Sequence, residues 1–134
     1  MARSPDYLSA VGIGVADLDR SVDFYCRVLG MQKTQTFKLP HMEEIIVAHE
    51  GRNAVVLMHY TDGSTRNYRD NPVKLVFYVA DAKARTEAIR AEGLPITREA
   101  EPIPAMGNAI IGMGKDPDGY VIELIQLQTQ TAPA

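Results

Sequence analysis

Val11, Ile13 and Val15 alternate with small residues, the two-residue period of a strand with one buried face. Leu75, Phe77 and Val79 repeat that parity 64 residues on, and both runs close on Val-Ala-Asp, at 15–17 and 79–81. Each run predicts a strand feeding a helix. Asp17 and Asp81 suit the N-cap, where a carboxylate accepts orphan backbone N–H groups at the positive end of the helix dipole. Val22, Cys26 and Leu29 then recur at helical spacing, flanked by Asp19, Arg20, Asp23 and Arg27. In the second copy Ala84, Ala88 and Ala91 with Ile89 make a thinner apolar face. Gly30 and Gly93 stand where a left-handed C-cap is easiest for glycine.

After each helix the pattern returns to strands, over 31–38, 43–49 and 53–60 and again over 95–99, 108–114 and 120–127. Glu50-Gly51-Arg52-Asn53 and Asp116-Pro117-Asp118-Gly119 read as turns, the second with Pro presetting φ and Gly accepting a positive one. Gly112 and Gly114 inside a strand point to a close backbone approach or a bulge. Each half is therefore β-α-β-β-β, at 7–60 and 73–128, with the polar stretch 61–72 as linker. The tail Thr129–Ala134 is expected to fray. A half of about 60 residues buries only a marginal core, so the two are expected to share one within a single domain, 1–134. The fold class that follows is α+β, two tandem modules.

Composition narrows the classes without choosing among them. The chain has 134 residues, 46% hydrophobic and 23% charged, with a formal net charge of −3. Its one cysteine, Cys26, has no partner for a disulfide and suits a reducing compartment; on the apolar side of the helix it reads as core. No apolar run approaches the roughly 18 residues of a spanning helix. The first six residues lack the apolar stretch of a signal peptide, so a cytoplasmic location is expected. Seventeen acidic against fourteen basic residues argue against a nucleic-acid partner.

Two segments carry a family resemblance. Residues 15–31, Val-Ala-Asp-Leu-Asp-Arg-Ser-Val-Asp-Phe-Tyr-Cys-Arg-Val-Leu-Gly-Met, resemble the opening strand and helix of glyoxalase I-type proteins. Residues 116–125, Asp-Pro-Asp-Gly-Tyr-Val-Ile-Glu-Leu-Ile, resemble their closing hairpin and last strand. The chain is thereby similar to the vicinal oxygen chelate superfamily, which includes glyoxalase I, extradiol dioxygenases and bleomycin-binding proteins. The resemblance implies a glyoxalase-like fold in which paired modules curl a mixed sheet around a cavity, and a homodimer. It further implies four metal-ligand positions, which here fall on Ala10, Leu57, Lys74 and Glu123. Ala10 and Lys74 share the offset of 64 seen for Val-Ala-Asp, and Leu57 and Glu123 are expected to correspond on the last strands.

Of these four only Glu123 can ligate a metal, and an ammonium at Lys74 repels one. No cofactor is therefore expected, and Lys74 and Glu123 are expected to pair where a metal would sit, since burying Glu123 without a cation is costly. Strand alternation adds His59, Tyr78 and Leu57 to the expected cavity lining, with Val55, Val76, Val121 and Ile125. His59 reads as a general acid or base, or as a strand-end histidine bonded to backbone. A metal held by His59 with Glu123 has too few ligands. His41 and His49 are expected to face solvent. Met42–Glu44 and 102–106, with Met106 the adaptable contact, are candidate lids. Two functions follow: a metal-independent binder of a small carbonyl-bearing or anionic molecule, or a lyase or isomerase with Glu123 as base and Lys74 steadying the enolate.

Overall fold

A computed structural model describes residues 6–128; the tail from Thr129 on lies outside them. The chain divides into two compact units, meeting between Tyr68 and Arg69, inside the expected linker.

In the first unit, strand β1 (Ala10–Gly14) leads to helix α1 (Leu18–Asp23), which runs on into a π-helical turn, Phe24–Val28. Strands β2 (Gln32–Lys38), β3 (Met42–His49) and β4 (Arg52–Tyr60) follow as a meander. β4 returns beside β1 in parallel, giving the sheet order β1-β4-β3-β2. The second unit repeats this with β5 (Lys74–Tyr78), α2 (Ala82–Ala91), β6 (Ile96–Ile103), β7 (Ala109–Lys115) and β8 (Val121–Gln126), in the order β5-β8-β7-β6. The α+β reading and both β-α-β-β-β modules stand. The second strand of each meander and both turns also fall where the pattern put them. Met42–Glu44 is a correction: it opens β3 and is no lid.

The caps form as expected. The Asp17 carboxylate accepts from Arg20 N–H at 3.0 Å and Asp81 from Ala84 N–H at 2.9 Å. Gly30 and Gly93 take φ of 79° and 76°. The buried stripes differ from the expected ones. On the first helical segment Ser21, Phe24, Tyr25 and Val28 turn inward while Val22 and Cys26 are half-buried. On α2 the inward residues are Ala82, Thr86 and Ile89, and Ala84 and Ala91 are exposed. Thr86 can be buried because its hydroxyl donates back to the Ala82 carbonyl at 2.7 Å.

Thr86 also explains a glycine. A Cβ on Gly112 would collide with Thr86 Oγ1, and one on Gly114 would lie 3.1 Å from Ile89 Cγ2 and from the Pro95 carbonyl. The two glycines let α2 lie close on β7, the close-approach reading of that strand. The closing turn is tied by Asp116, whose carboxylate accepts from Asp118 N–H and Tyr120 N–H, each at 2.9 Å. Gly112→Ala is expected to cost about 1–3 kcal/mol by overpacking. In a Thr86→Ala background the same change should cost less than half as much, read from urea unfolding midpoints. Equal costs in both backgrounds would break the link between the two residues.

Candidate functional site

Neighbours across a ladder share a face, and successive residues along a strand alternate faces. Lys74 pairs with Val121, Val76 with Glu123 and Tyr78 with Ile125. On the other side of β8, Lys115, Met113 and Ile111 pair with Val121, Glu123 and Ile125. All of these lie on one face of the second sheet. The opposite face carries α2, against which Gly112 and Gly114 pack. The open face therefore presents Lys74, Val76 and Tyr78 along the edge strand β5, with Glu123 on the adjacent strand.

Lys74 Nζ lies 2.8 Å from Glu123 Oε1. The ion pair expected from the sequence is formed, and it is lopsided: the Lys74 side chain is 53% exposed and that of Glu123 only 8%. Ile111 and Ile125 are buried beside it in a cluster with Ala109, edged by Ile103 and Met113. Tyr78, at 75% exposed, stands clear of the sheet. Met106 is exposed in a 3-10 turn, Pro104–Met106, ahead of Gly107 at φ 66°.

The first sheet corrects three of the expected lining residues. Ala10 pairs with Ala54, Gly12 with Val56 and Gly14 with Met58, so these six share a face. Leu57 pairs with Ile13 and Ile45, points to the α1 side and is fully buried. By register, the residue corresponding to Glu123 is Val56: Gly12↔Val56 repeats Val76↔Glu123. Leu57 stands one residue past that position, and one residue along a strand is the opposite face. Leu57, Val55 and His59 thus move off the face that carries Ala10.

His59 pairs with Glu43 near the end of β4. Its Nδ1 lies 2.8 Å from the Val15 carbonyl, which only accepts, so Nδ1 carries the proton. Its ring stacks on Tyr68, centroids 5.3 Å apart, and the Tyr68 hydroxyl accepts from Tyr60 N–H at 3.0 Å. The backbone-bonded alternative describes this histidine. It also borders a cavity of about 310 Å³ with Asp17, Asp19, Glu43, Leu18 and Ile45, on the α1 side. His41 is exposed, whereas His49 is half-buried with Nε2 3.4 Å from the Leu29 carbonyl.

A divalent ion of the kind the resemblance implies does not fit these residues. Ala10, Val56 and Leu57 offer no lone pair, and Lys74 offers a positive charge. Among the described residues no three of His, Cys, Asp and Glu are grouped so as to hold a metal ion. Among the described residues no helix is long and apolar enough to cross a membrane.

Residues 7–124 match the family model described as glyoxalase/bleomycin resistance protein/dioxygenase superfamily. A probable lactoylglutathione lyase of Vibrio parahaemolyticus is 37% identical over 123 residues, 88% of each chain. A glyoxalase I mutant from Zea mays superposes with a TM-score of 0.74 at 26% identity; the match covers 88% of this chain but only 43% of the maize one. The trypanothione-dependent glyoxalase I of Leishmania major superposes with a TM-score of 0.75 at 24% identity, covering 90% of this chain and 86% of that one.

Cys26 is held as a thiol. Partial burial raises its pKa most, with Asp23 adding to the effect; a backbone N–H of Lys33 and that residue's charge oppose it. A raised pKa leaves less thiolate at any given pH. Alkylation by iodoacetamide at pH 8 should therefore run several-fold slower than for a free cysteine peptide and climb with pH to a half-point above the peptide's. A rate equal to the peptide's would contradict the burial.

Proposed function

The chain belongs to the glyoxalase/bleomycin resistance protein/dioxygenase superfamily, and from that premise we propose that it binds a small carbonyl-bearing or anionic molecule without a divalent ion. The observation that supports this reading is the Lys74–Glu123 pair on the open face of the second sheet. An ammonium has three donors, and one contact to Glu123 leaves two for a ligand oxygen. Val76 and Tyr78 beside it offer surface for an apolar body. In this reading the protein works as a cytoplasmic homodimer with no metal and no nucleic-acid partner.

A second reading is favoured by the Vibrio relative, whose name is that of a lyase. Here Glu123 takes the proton from a carbon beside the carbonyl. The C–H electron pair forms the new carbon–carbon double bond, and the carbonyl pair moves onto oxygen, where Lys74 meets the charge. For a substrate with a hydroxyl on that carbon, the hydroxyl proton passes to the enolate oxygen and Glu123 returns its proton to the former carbonyl carbon, so that the hydroxyl-bearing carbon becomes the new carbonyl. Binding ranks first because Glu123 Oε1 is already engaged by Lys74.

The test is a Lys74→Ala variant titrated calorimetrically with a carbonyl compound that stabilises the wild type. Affinity should fall at least about tenfold, roughly 1.4 kcal/mol. Unchanged affinity, with a melting temperature lowered by the stranded Glu123 carboxylate, would show that the pair serves only itself.

A further inference from the structure

The open face of the second sheet is balanced in charge as well as mixed in polarity. Lys74 is answered by Glu123 at 2.8 Å, and Lys115 Nζ lies 3.8 Å from Asp70 Oδ1. Farther along, Arg98 pairs with Met113 and Glu101 with Ile111, so these opposite charges share the same face. Among the described residues the cations of this face are matched by as many acids. A ligand carboxylate brought to Lys74 would also come up against Glu123, whose burial weakens solvent screening of the repulsion. A carbonyl oxygen accepts the same N–H donors without carrying that charge.

The rest of the ligand is set by the strand. Lys74, Val76 and Tyr78 follow one another at every second position of β5, so they form a single file on one face. Val76 is 52% exposed and Tyr78 75%. Four residues of strand span about 13 Å, enough for a two-ring body between the ammonium and the phenol. Ile125 is paired beside Tyr78 and closes the apolar side.

We infer that the occupant of this face is uncharged: a ketone or aldehyde whose oxygen meets Lys74 and whose apolar, ring-sized body lies along Val76 and Tyr78. This deepens the proposed function and rests on its reading that Lys74 receives the ligand's oxygen. Three probes of one shape separate the alternatives: 2-acetylnaphthalene, 2-naphthoate and 2-ethylnaphthalene, titrated against the whole chain by naphthalene fluorescence.

For the wild type the ketone should bind at least about tenfold tighter than either of the others, the size of one good charge-assisted hydrogen bond. In Lys74→Met the ketone should fall to the level of the hydrocarbon. In Glu123→Gln the face gains a net positive charge, and naphthoate should tighten about tenfold or more. Tighter naphthoate than ketone in the wild type, lost in Lys74→Met, would overturn the uncharged ligand and leave the Lys74 site standing. Ketone and hydrocarbon binding alike, both indifferent to Lys74→Met, would overturn both. Absence of binding by all three overturns the inference. Should either variant fail to fold by circular dichroism, the wild-type ranking of the three probes decides alone.

Discussion

Glu123 sits almost out of water on a strand whose neighbours are Ile122, Leu124 and Ile125. A carboxylate in such a place must be protonated, hold a metal or meet a cation. Here the third solution is used, and its partner comes from β5, which pairs with β8 in parallel. Lys74 and Glu123 are offset by two residues of register on that ladder, on one face, so the long lysine side chain can reach diagonally across. Removing Lys74 strands the buried Glu123 charge, whereas replacing both by apolar residues is often tolerated. The pair is thus a constraint on chemistry more than a source of stability.

The rest of the second unit fixes which residues that face carries. α2 covers the opposite side through Ala82, Thr86 and Ile89, and the glycines of β7 let it approach closely. The turn from Asp116 to Gly119 fixes where β8 begins, and with it which residue lands beside Val76. A single-residue shift there would exchange Glu123 for Ile122 on the open face. The first unit uses the same scaffold with different side chains: Ala10, Gly12 and Val56 stand where the second has Lys74, Val76 and Glu123.

What could be read from the chain was what local chemistry determines. Asp17 and Asp81 cap through contacts three residues away, and Asp116-Pro117-Asp118-Gly119 closes on itself. The Lys74–Glu123 pair was legible too, because an acid at an apolar strand position demands a counter-charge. The register of β4 was not. Val55, Val56 and Leu57 are alike in hydropathy, so only backbone pairing shows which of them faces α1. Nor did apolar periodicity reveal the buried stripe on α2, since Thr86 enters it by bonding its own helix. His59 allows two readings from the sequence, and it is the distant Val15 carbonyl on its Nδ1 that ties the ring to backbone.

Family membership brings the expectation of a divalent ion, and the donor chemistry at the corresponding positions opposes it. Elemental analysis of the purified protein, after incubation with nickel, zinc, manganese and iron(II) followed by dialysis, meets that opposition directly. The account predicts metal far below one ion per chain and a melting temperature indifferent to each ion. Stoichiometric retention of any of them, with a marked rise in melting temperature, would contradict it.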